Sequence, residues 1–207
     1  MAPRQPPPDA DLVERREILN DVGIVRALRR MAYELIERCS PNREPIYLVG
    51  IRTGGAHLAN RLASMIRSQA QASLNGGSGP ISLADVVHVT VGAIDISLYR
   101  DDVFLGLPKP EIGPTDLPET VDGRTVVLVD DVLFTGRTIR AAMDVLADYG
   151  RPRAVRLAVL VDRGRRELPI QPDFVGVTVQ TTAAESVRVM LKERGEDDRI
   201  VLRERRG

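Results

Sequence analysis

A chain of 207 residues with 43% hydrophobic and 28% charged residues has the apolar content for one hydrophobic core and suits a single globular domain. Lys+Arg and Asp+Glu both number 29, and only 3% of residues are aromatic with no Trp, which weighs against a general polyanion binder and against an aromatic stacking platform for nucleic acid. Cys39 is the only cysteine and there are two His, so an intrachain disulfide is excluded, a zinc site of protein ligands alone is disfavoured, and a cytoplasmic location is the simplest expectation.

The opening stretch "MAPRQPPPDAD" is proline-rich and lacks the apolar core of a signal peptide, so residues 1–14 are expected to form a disordered tail and residues 15–207 a single domain. No apolar run reaches the ~18 residues of a membrane span. "REILN", Arg16 to Asn20, is a short apolar stretch that ends on Asn20-Asp21, a good helix N-cap. Val25, Leu28, Ala32, Leu35 and Ile36 recur at helical spacing and predict a helix from Val22 to Cys39. Its other face carries Arg26, Arg29, Arg30, Glu34, Glu37 and Arg38, and "SPN" at residues 40–42 stops it. "IYLVGI", Ile46 to Ile51, is a continuous apolar run and predicts a strand buried on both faces, as in a parallel sheet. A second helix is expected from Ala56 to Ser68, then a flexible link, "SLNGGSGP", at residues 73–80. "VVHVTVGAIDISLYR", residues 86–100, predicts strand, with His88 as a packed strand residue. Residues 101–122 hold Pro108, Pro110, Pro114 and Pro118 and no steady period, which predicts a long loop of the kind that serves as an active-site lid. The third strand is expected over Val126 to Val129 and its helix over Arg137 to Tyr149, closed by Gly150 and Pro152. "AVRLAVLV", Ala154 to Val161, is a further buried strand, and short strands are expected near Phe174 to Val179 and Val187 to Leu191.

Strands alternating with helices predict an α/β domain with a mainly parallel sheet, in which ligands sit beyond the carboxyl ends of the strands. Three loops start at such ends: "RTGG", "DDVLFTGRT" and "DRGRRELP". They are therefore expected to meet around one site. The central stretch is "VVLVDDVLFTGRT", Val126 to Thr138. Two neighbouring carboxylates at the end of a buried strand cost free energy unless something binds there. The turn that follows enters a helix, so the N–H groups of Phe134 to Thr138 would be free and the helix dipole adds positive potential. Gly136 lets backbone approach a ligand, and Thr135 and Thr138 offer hydroxyls, which together suit a single phosphate. The Walker pattern is absent. Asp130 and Asp131 would accept hydrogen bonds from a vicinal diol, and a phosphate beside a diol describes a ribose 5-phosphate. The competing reading is an acidic strand end followed by a capped helix. "RTGG" suits a second anion, with Arg52 bringing charge and Gly54-Gly55 pointing successive N–H groups inward; the competing reading is an ordinary glycine turn. A pyrophosphate fits there, with Mg²⁺ bridging it to the ribose hydroxyls. 5-Phosphoribosyl 1-pyrophosphate carries both halves.

The stretch from Val126 to Thr138 matches the signature of type I phosphoribosyltransferases. More closely, the chain resembles the pyrimidine-operon attenuation regulators that are also uracil phosphoribosyltransferases, through "RALRRMAYELIER", "LVGIRTGGAHLANRLA", "IDISLYRDD", "VVLVDDVLFTGRTIRAAMD" and "GRPRAVRLAVLVDRGRRELPI". The resemblance runs from about Glu17 to Leu202. It implies a twisted, mainly parallel sheet flanked by helices, with a small hood over the base. It implies the reaction of uracil with phosphoribosyl pyrophosphate to give UMP and pyrophosphate, with Mg²⁺ bound mainly through the substrate. By motif, Asp130 and Asp131 hold the ribose hydroxyls, Val132, Leu133, Phe134, Thr135, Gly136, Arg137 and Thr138 cradle the 5-phosphate, and Thr53 and Gly54 line the pyrophosphate loop. Arg100 is a candidate clamp on pyrophosphate; a solvated loop arginine is the competing reading. Charge stabilisation and positioning should dominate this chemistry, so no catalytic nucleophile is named, and Asp130 and Asp131 are the best candidates for a catalytic part.

The chain departs from the family at several places. The pyrophosphate loop reads Thr53-Gly54-Gly55 where the family has Thr-Arg-Gly. Arg165, Gln171 and Val177 stand where the family has His, Arg and Lys. Residues 68–87 form a longer segment than the family has. A homodimer or homotetramer is implied by the resemblance. For a pyrimidine-operon leader RNA, Arg26, Arg29, Arg30 and Arg38 could pair with Arg151, Arg153 and Arg156 in one basic face. A solvated face balanced by Glu34 and Glu37 is the alternative. The function classes that stand are an enzyme acting on uracil, an RNA-binding regulator sensing UMP or UTP through the same pocket, and a phosphoribosyltransferase for another base.

Overall fold

The computed structural model describes residues 12–39, 45–75, 88–97 and 115–205. In chain order the elements are β1 (Leu12–Leu19), α1 (Asp21–Cys39), β2 (Ile46–Ile51), α2 (Gly54–Asn75), β3 (Val89–Ile94), β4 (Thr125–Leu133), α3 (Arg137–Asp148), β5 (Ala154–Asp162), β6 (Phe174–Thr178), β7 (Glu185–Met190), a 3₁₀ turn (Lys192–Arg194) and β8 (Arg199–Arg205). Five strands form one sheet in the order β3-β2-β4-β5-β6, and every neighbouring pair is parallel. β4 lies at its centre, which brings the carboxyl ends of β2, β4 and β5 side by side.

The continuous apolar strands are explained by burial on two faces. Along β2, β4 and β5, Leu48, Val127, Val129, Ala158 and Leu160 pack with α1 and α2, while Tyr47, Val49, Val126, Leu128 and Val159 pack with α3. Successive strand side chains point to opposite faces, so each strand feeds both cores. The α1 helix starts where expected, with the Gly23 N–H donating to Asn20 Oδ1 at 2.9 Å. Its buried stripe is Ile24, Leu28, Met31, Ala32 and Leu35; Val25 is 37% exposed and faces away from it.

β1, β8 and β7 form a separate antiparallel sheet in that order, with Leu12 opposite Arg205. This sheet joins the first and last described segments. Val189 and Ile200 from it, with Leu191 just after β7, enter the core shared with α1 and α2. The sequence pattern indicated no strand at β1 or β8, because "LVERREIL" and "RIVLRER" carry charges where alternation would show.

Several expected boundaries move. The strand begins at Leu12, inside the expected tail of residues 1–14, because β8 supplies it with hydrogen bonds; residues 1–11 lie outside the described residues. The α2 helix begins at Gly54 and runs through Ser73–Asn75, the start of the expected link, whose remainder lies outside the described residues. His88 is exposed ahead of β3, not packed within it, and its carbonyl accepts the Ile46 N–H at 2.8 Å. Of the expected lid at residues 101–122, residues 101–114 lie outside the described residues, while the rest is tied to the body. Asp116 bridges Ala93 in antiparallel fashion, Val121 is buried, and Tyr47 donates its hydroxyl to the Glu119 carbonyl at 3.0 Å. β4 extends through both aspartates to Leu133, since β5 is long enough to pair with it that far.

Leu128 is fully buried at the centre of the sheet. Leu128→Ala is expected to cost about 2–5 kcal/mol, through lost burial and the cavity left behind. Urea unfolding measures it, and a loss below about 1 kcal/mol would contradict this packing.

Candidate phosphoribosyl site

β4 delivers two carboxylates at its end. Asp130 is 6% exposed, and its Oδ1 accepts the Asp131 N–H at 2.9 Å. Burial pushes the Asp131 carboxyl above the ordinary carboxylate value, opposed by the Val132 N–H, the Arg194 charge, its own N–H and Asp130. Against these acids lies the loop after β2. A Cβ placed on Gly54 would sit 2.2 Å from Asp131 Oδ2, and one on Gly55 would sit 2.1 Å from the Val129 carbonyl oxygen. Only glycine permits that approach. The Arg52–Thr53 peptide is cis, the Arg52 N–H donates to Ile94 O at 2.9 Å, and Thr53 is exposed. Arg52 Nε is buried without a partner among the described residues.

The turn from Phe134 to Gly136 leads into α3. Gly136 is the N-cap residue with φ 94°, and no side chain caps the helix. The turn is held by its carbonyls: Arg163 N–H donates to Leu133 O at 3.1 Å, Arg166 Nη1 to Phe134 O at 3.1 Å, and Glu167 N–H to Thr135 O at 3.0 Å. Among the described residues, the N–H groups of Phe134, Thr135, Gly136 and Thr138 have no hydrogen-bond partner. They and the α3 dipole make an anion cradle. Val132 and Leu133 belong to β4, paired with Val161 and Asp162, so the free N–H groups are confined to Phe134 and beyond. Arg137 is exposed and pairs with Glu167 at 2.7 Å.

The third loop, after β5, embraces this turn as expected, and it brings a residue that motif reading missed. Arg163 is 7% exposed, with its guanidinium 4.0 Å from the centroid of the Phe134 ring. It donates from Nε to Thr181 Oγ1 at 3.1 Å and from Nη2 to the Glu185 carbonyl at 2.7 Å. Desolvation pushes its pKa down, with Arg165 adding to the effect. One buried cation thus joins the phosphate turn to β7. Arg166 pairs with Asp162 at 2.7 Å and donates to Ile170 O at 2.9 Å, which closes the loop on itself. The available signal was an Asp-Arg-Gly at a strand end. A second missed group is Arg61 of α2, which grips Glu193 and Asp198 beside the 3₁₀ turn.

The structure therefore brings together Thr53, Gly54, Asp130, Asp131 and the turn from Phe134 to Thr138. Arg100 lies outside the described residues. The arginines considered for RNA are spread over α1 and the start of β5. Arg38 and Arg156 converge on Asp173, at 3.8 Å and 2.8 Å. Arg30 donates to the Val175 and Gly176 carbonyls and pairs with Glu34, and Arg153 donates to Thr125 Oγ1. Arg26, Arg29 and Arg151 are exposed. Of the seven residues Arg26, Arg29, Arg30, Arg38, Arg151, Arg153 and Arg156, four thus have structural partners.

Comparison with known proteins gives the same picture. Residues 14–194 match the family model described as "Phosphoribosyl transferase domain". A "Bifunctional protein PyrR" of Chloroflexus aurantiacus is 49% identical over 189 residues, covering 91% of this chain and 95% of the relative. One from Enterococcus faecalis is 46% identical over 188 residues, covering 91% and 96%. Among solved structures, the hypoxanthine phosphoribosyltransferase of Trypanosoma cruzi superposes with a TM-score of 0.62 at 16% identity, covering 93% of this chain and 98% of that one. A hypoxanthine phosphoribosyltransferase from Staphylococcus aureus gives a TM-score of 0.59 at 19% identity, covering 84% and 81%. These likenesses show the type I phosphoribosyltransferase fold.

The raised Asp131 pKa predicts a pH effect. A carboxyl that ionises less readily when folded lowers stability as pH rises through its folded pKa, and the penalty persists above it. Asp131→Asn is therefore expected to raise the melting temperature of the ligand-free protein at pH 7. The gain should shrink as pH falls towards the ordinary aspartate value of 3.8. Calorimetry at several pH values checks this; a lower melting temperature at pH 7 would refute it.

Proposed function

Because the chain belongs to the phosphoribosyltransferase family, and aligns along most of its length with bifunctional PyrR proteins, we propose that it transfers phosphoribosyl from 5-phosphoribosyl 1-pyrophosphate to uracil and also binds a pyrimidine-operon leader RNA. The observation that carries the enzyme reading is the conjunction around Asp130 and Asp131: open N–H groups of the Phe134–Thr138 turn on one side, and the Gly54-Gly55 loop on the other. A ribose between a 5-phosphate and a 1-pyrophosphate matches that order.

In this reading the C1–O bond to pyrophosphate breaks, the bond from uracil N1 to C1 forms, and the N1 proton leaves to solvent. The turn fixes the 5-phosphate, and the aspartates accept hydrogen bonds from the 2- and 3-hydroxyls. Their negative charge sits near a carbon that becomes positive, which favours the transition state over the ground state. The N–H groups from Thr53 to Gly55 would face the leaving group. Asp130 and Asp131 are two adjacent carboxylates, a hard-oxygen donor set that suits a cation whose other oxygen ligands come from the substrate. Mg²⁺ bound in that way would neutralise charge on the pyrophosphate.

The RNA reading rests on the relatives' description as bifunctional and on the exposed Arg26, Arg29 and Arg151. Arg30, Arg38, Arg153 and Arg156 would serve through whatever donors their structural partners leave over. UMP would strengthen the complex if nucleotide and RNA favour one conformation. A homodimer or homotetramer and a cytoplasmic location belong to the same proposal. Among the described residues no helix is long and apolar enough to cross a membrane.

A panel of uracil, cytosine, hypoxanthine and guanine, assayed with phosphoribosyl pyrophosphate and Mg²⁺, tests the substrate; turnover of a purine alone would replace uracil in this reading. Asp130→Asn combined with Asp131→Asn is expected to lower kcat/KM by at least about a hundredfold while circular dichroism stays unchanged. A double variant within twofold of wild type would remove the ribose assignment. For RNA, filter binding should show preference for the operon leader over a scrambled sequence, strengthened by UMP. Equal affinity for both, with and without UMP, would leave an enzyme alone.

A further inference from the structure

Three consecutive carbonyls of the turn between β4 and α3 are taken by the loop after β5. Leu133 O accepts the Arg163 N–H at 3.1 Å, and Phe134 O accepts from Arg166 Nη1 at 3.1 Å. Thr135 O accepts the N–H groups of Glu167 and Leu168 at 3.0 and 3.1 Å. These peptides are trans, so each carbonyl and the N–H of the next residue lie in one plane and point opposite ways. Capture of the three carbonyls therefore aims the N–H groups of Phe134, Thr135 and Gly136 away from the loop after β5. Those are the donors of the anion cradle. Gly136 closes on the same loop, since a Cβ there would lie 3.3 Å from Ile170 Cδ1 and 3.4 Å from Leu168 Cβ.

The outer two carbonyls are held by backbone, and the middle one is held by a side chain. Among the described residues no backbone N–H reaches Phe134 O. The Arg166 side chain is 14% exposed. Its Nε donates to Ile170 O at 2.9 Å, Nη1 also donates to Gly164 O at 3.2 Å, and Nη2 pairs with Asp162 Oδ1 at 2.7 Å. Four acceptors thus engage a group with about five N–H donors, so the guanidinium is used within the protein. Asp162 Oδ1 also accepts the Gly164 N–H at 2.9 Å, which fixes that anchor at the end of β5. The other side-chain links to the turn do not set this peptide. Arg163 rests on the Phe134 ring, and the Arg137–Glu167 pair is 53% exposed on both sides, where an ion pair contributes little.

Resting on the phosphoribosyl transfer reading, we propose that Arg166 is a positioning residue for the 5-phosphate: it fixes the plane of the Phe134–Thr135 peptide so that the Thr135 N–H points into the cradle. It touches no substrate itself. Without it that peptide is free to rotate between two neighbours that stay anchored. The cradle then loses one aligned donor, while the aspartates and the loop after β2 keep their places.

The test compares wild type, Arg166→Ala, Arg166→Lys and the distant variant Arg15→Ala, which loses only a surface pair with Glu204. Calorimetry follows binding of ribose 5-phosphate and, separately, of pyrophosphate with Mg²⁺, and KM is measured for each substrate. Arg166→Ala should weaken ribose 5-phosphate and raise KM for phosphoribosyl pyrophosphate about tenfold, the loss typical of one hydrogen bond to a charged group. Its affinity for pyrophosphate and its KM for uracil should stay at the wild-type values, and Arg15→Ala should match wild type throughout. Arg166→Lys should recover part of the loss, because a single ammonium cannot reach all the acceptors of the fork. Should Arg166→Ala fail to fold, Arg166→Gln is judged by the same pattern. Equal weakening of ribose 5-phosphate, pyrophosphate and uracil would mark a merely structural residue and overturn this inference. So would ribose 5-phosphate affinity within twofold of an active wild type. Wild type that binds ribose 5-phosphate yet transfers to no base would overturn the reaction instead, with Arg166 still judged by binding. Wild type that binds no ribose 5-phosphate would overturn both.

Discussion

The contact between the Gly54 backbone and the Asp131 carboxylate is the constraint on which the site depends. Asp131 Oδ2 occupies the space a Cβ at position 54 would need, and the Val129 carbonyl does the same at position 55. The loop after β2 and the end of β4 are therefore locked in register as backbone against side chain. Because β2 and β4 are parallel neighbours, this contact sets the distance between the glycine loop and the paired carboxylates. Any side chain at Gly54 would push the two apart. The packing below, with Leu48 and Val49 beside Val127 and Leu128, makes the strand ends rigid enough for the close approach to hold.

Charge follows from that geometry. Burial makes Asp131 resist ionisation, and the protein partly offsets this with the Val132 N–H, the Arg194 charge, the Asp131 N–H and the Asp130 side chain. Arg163 is the opposite case, a buried guanidinium held by an aromatic ring, a hydroxyl and a carbonyl, with no carboxylate at hydrogen-bond distance among the described residues. It ties the Phe134 turn to β7. Arg61 ties α2 to the turn between β7 and β8. The small sheet is thus fastened to the site by two arginines.

What was legible in the sequence was whatever depends on short-range pattern. Unbroken apolar runs identified β2, β4 and β5 because strands covered on both faces have no polar side. The two acids, the glycine turn and the helix start were legible as one unit because those residues lie within a few positions of one another. The β1 and β8 strands were hidden, since their pairing spans nearly the whole chain and their charged faces hide the alternation. Arg163 and Arg61 were also hidden, because a lone arginine reads the same whether it is solvated or clamped.

The sequence by itself determined the α/β class, the parallel strands, the position of the two glycine loops beside the paired aspartates, and the family, all of which follow from local propensity and a compact motif. Only the tertiary structure decided that the first and last strands share a sheet, that Arg163 lies buried on Phe134, and that Arg38 and Arg156 meet at Asp173. The physical reason is separation. Contacts among residues far apart in the chain are set by how cores close and helices dock, and the strength of a charge depends on the burial that closure creates.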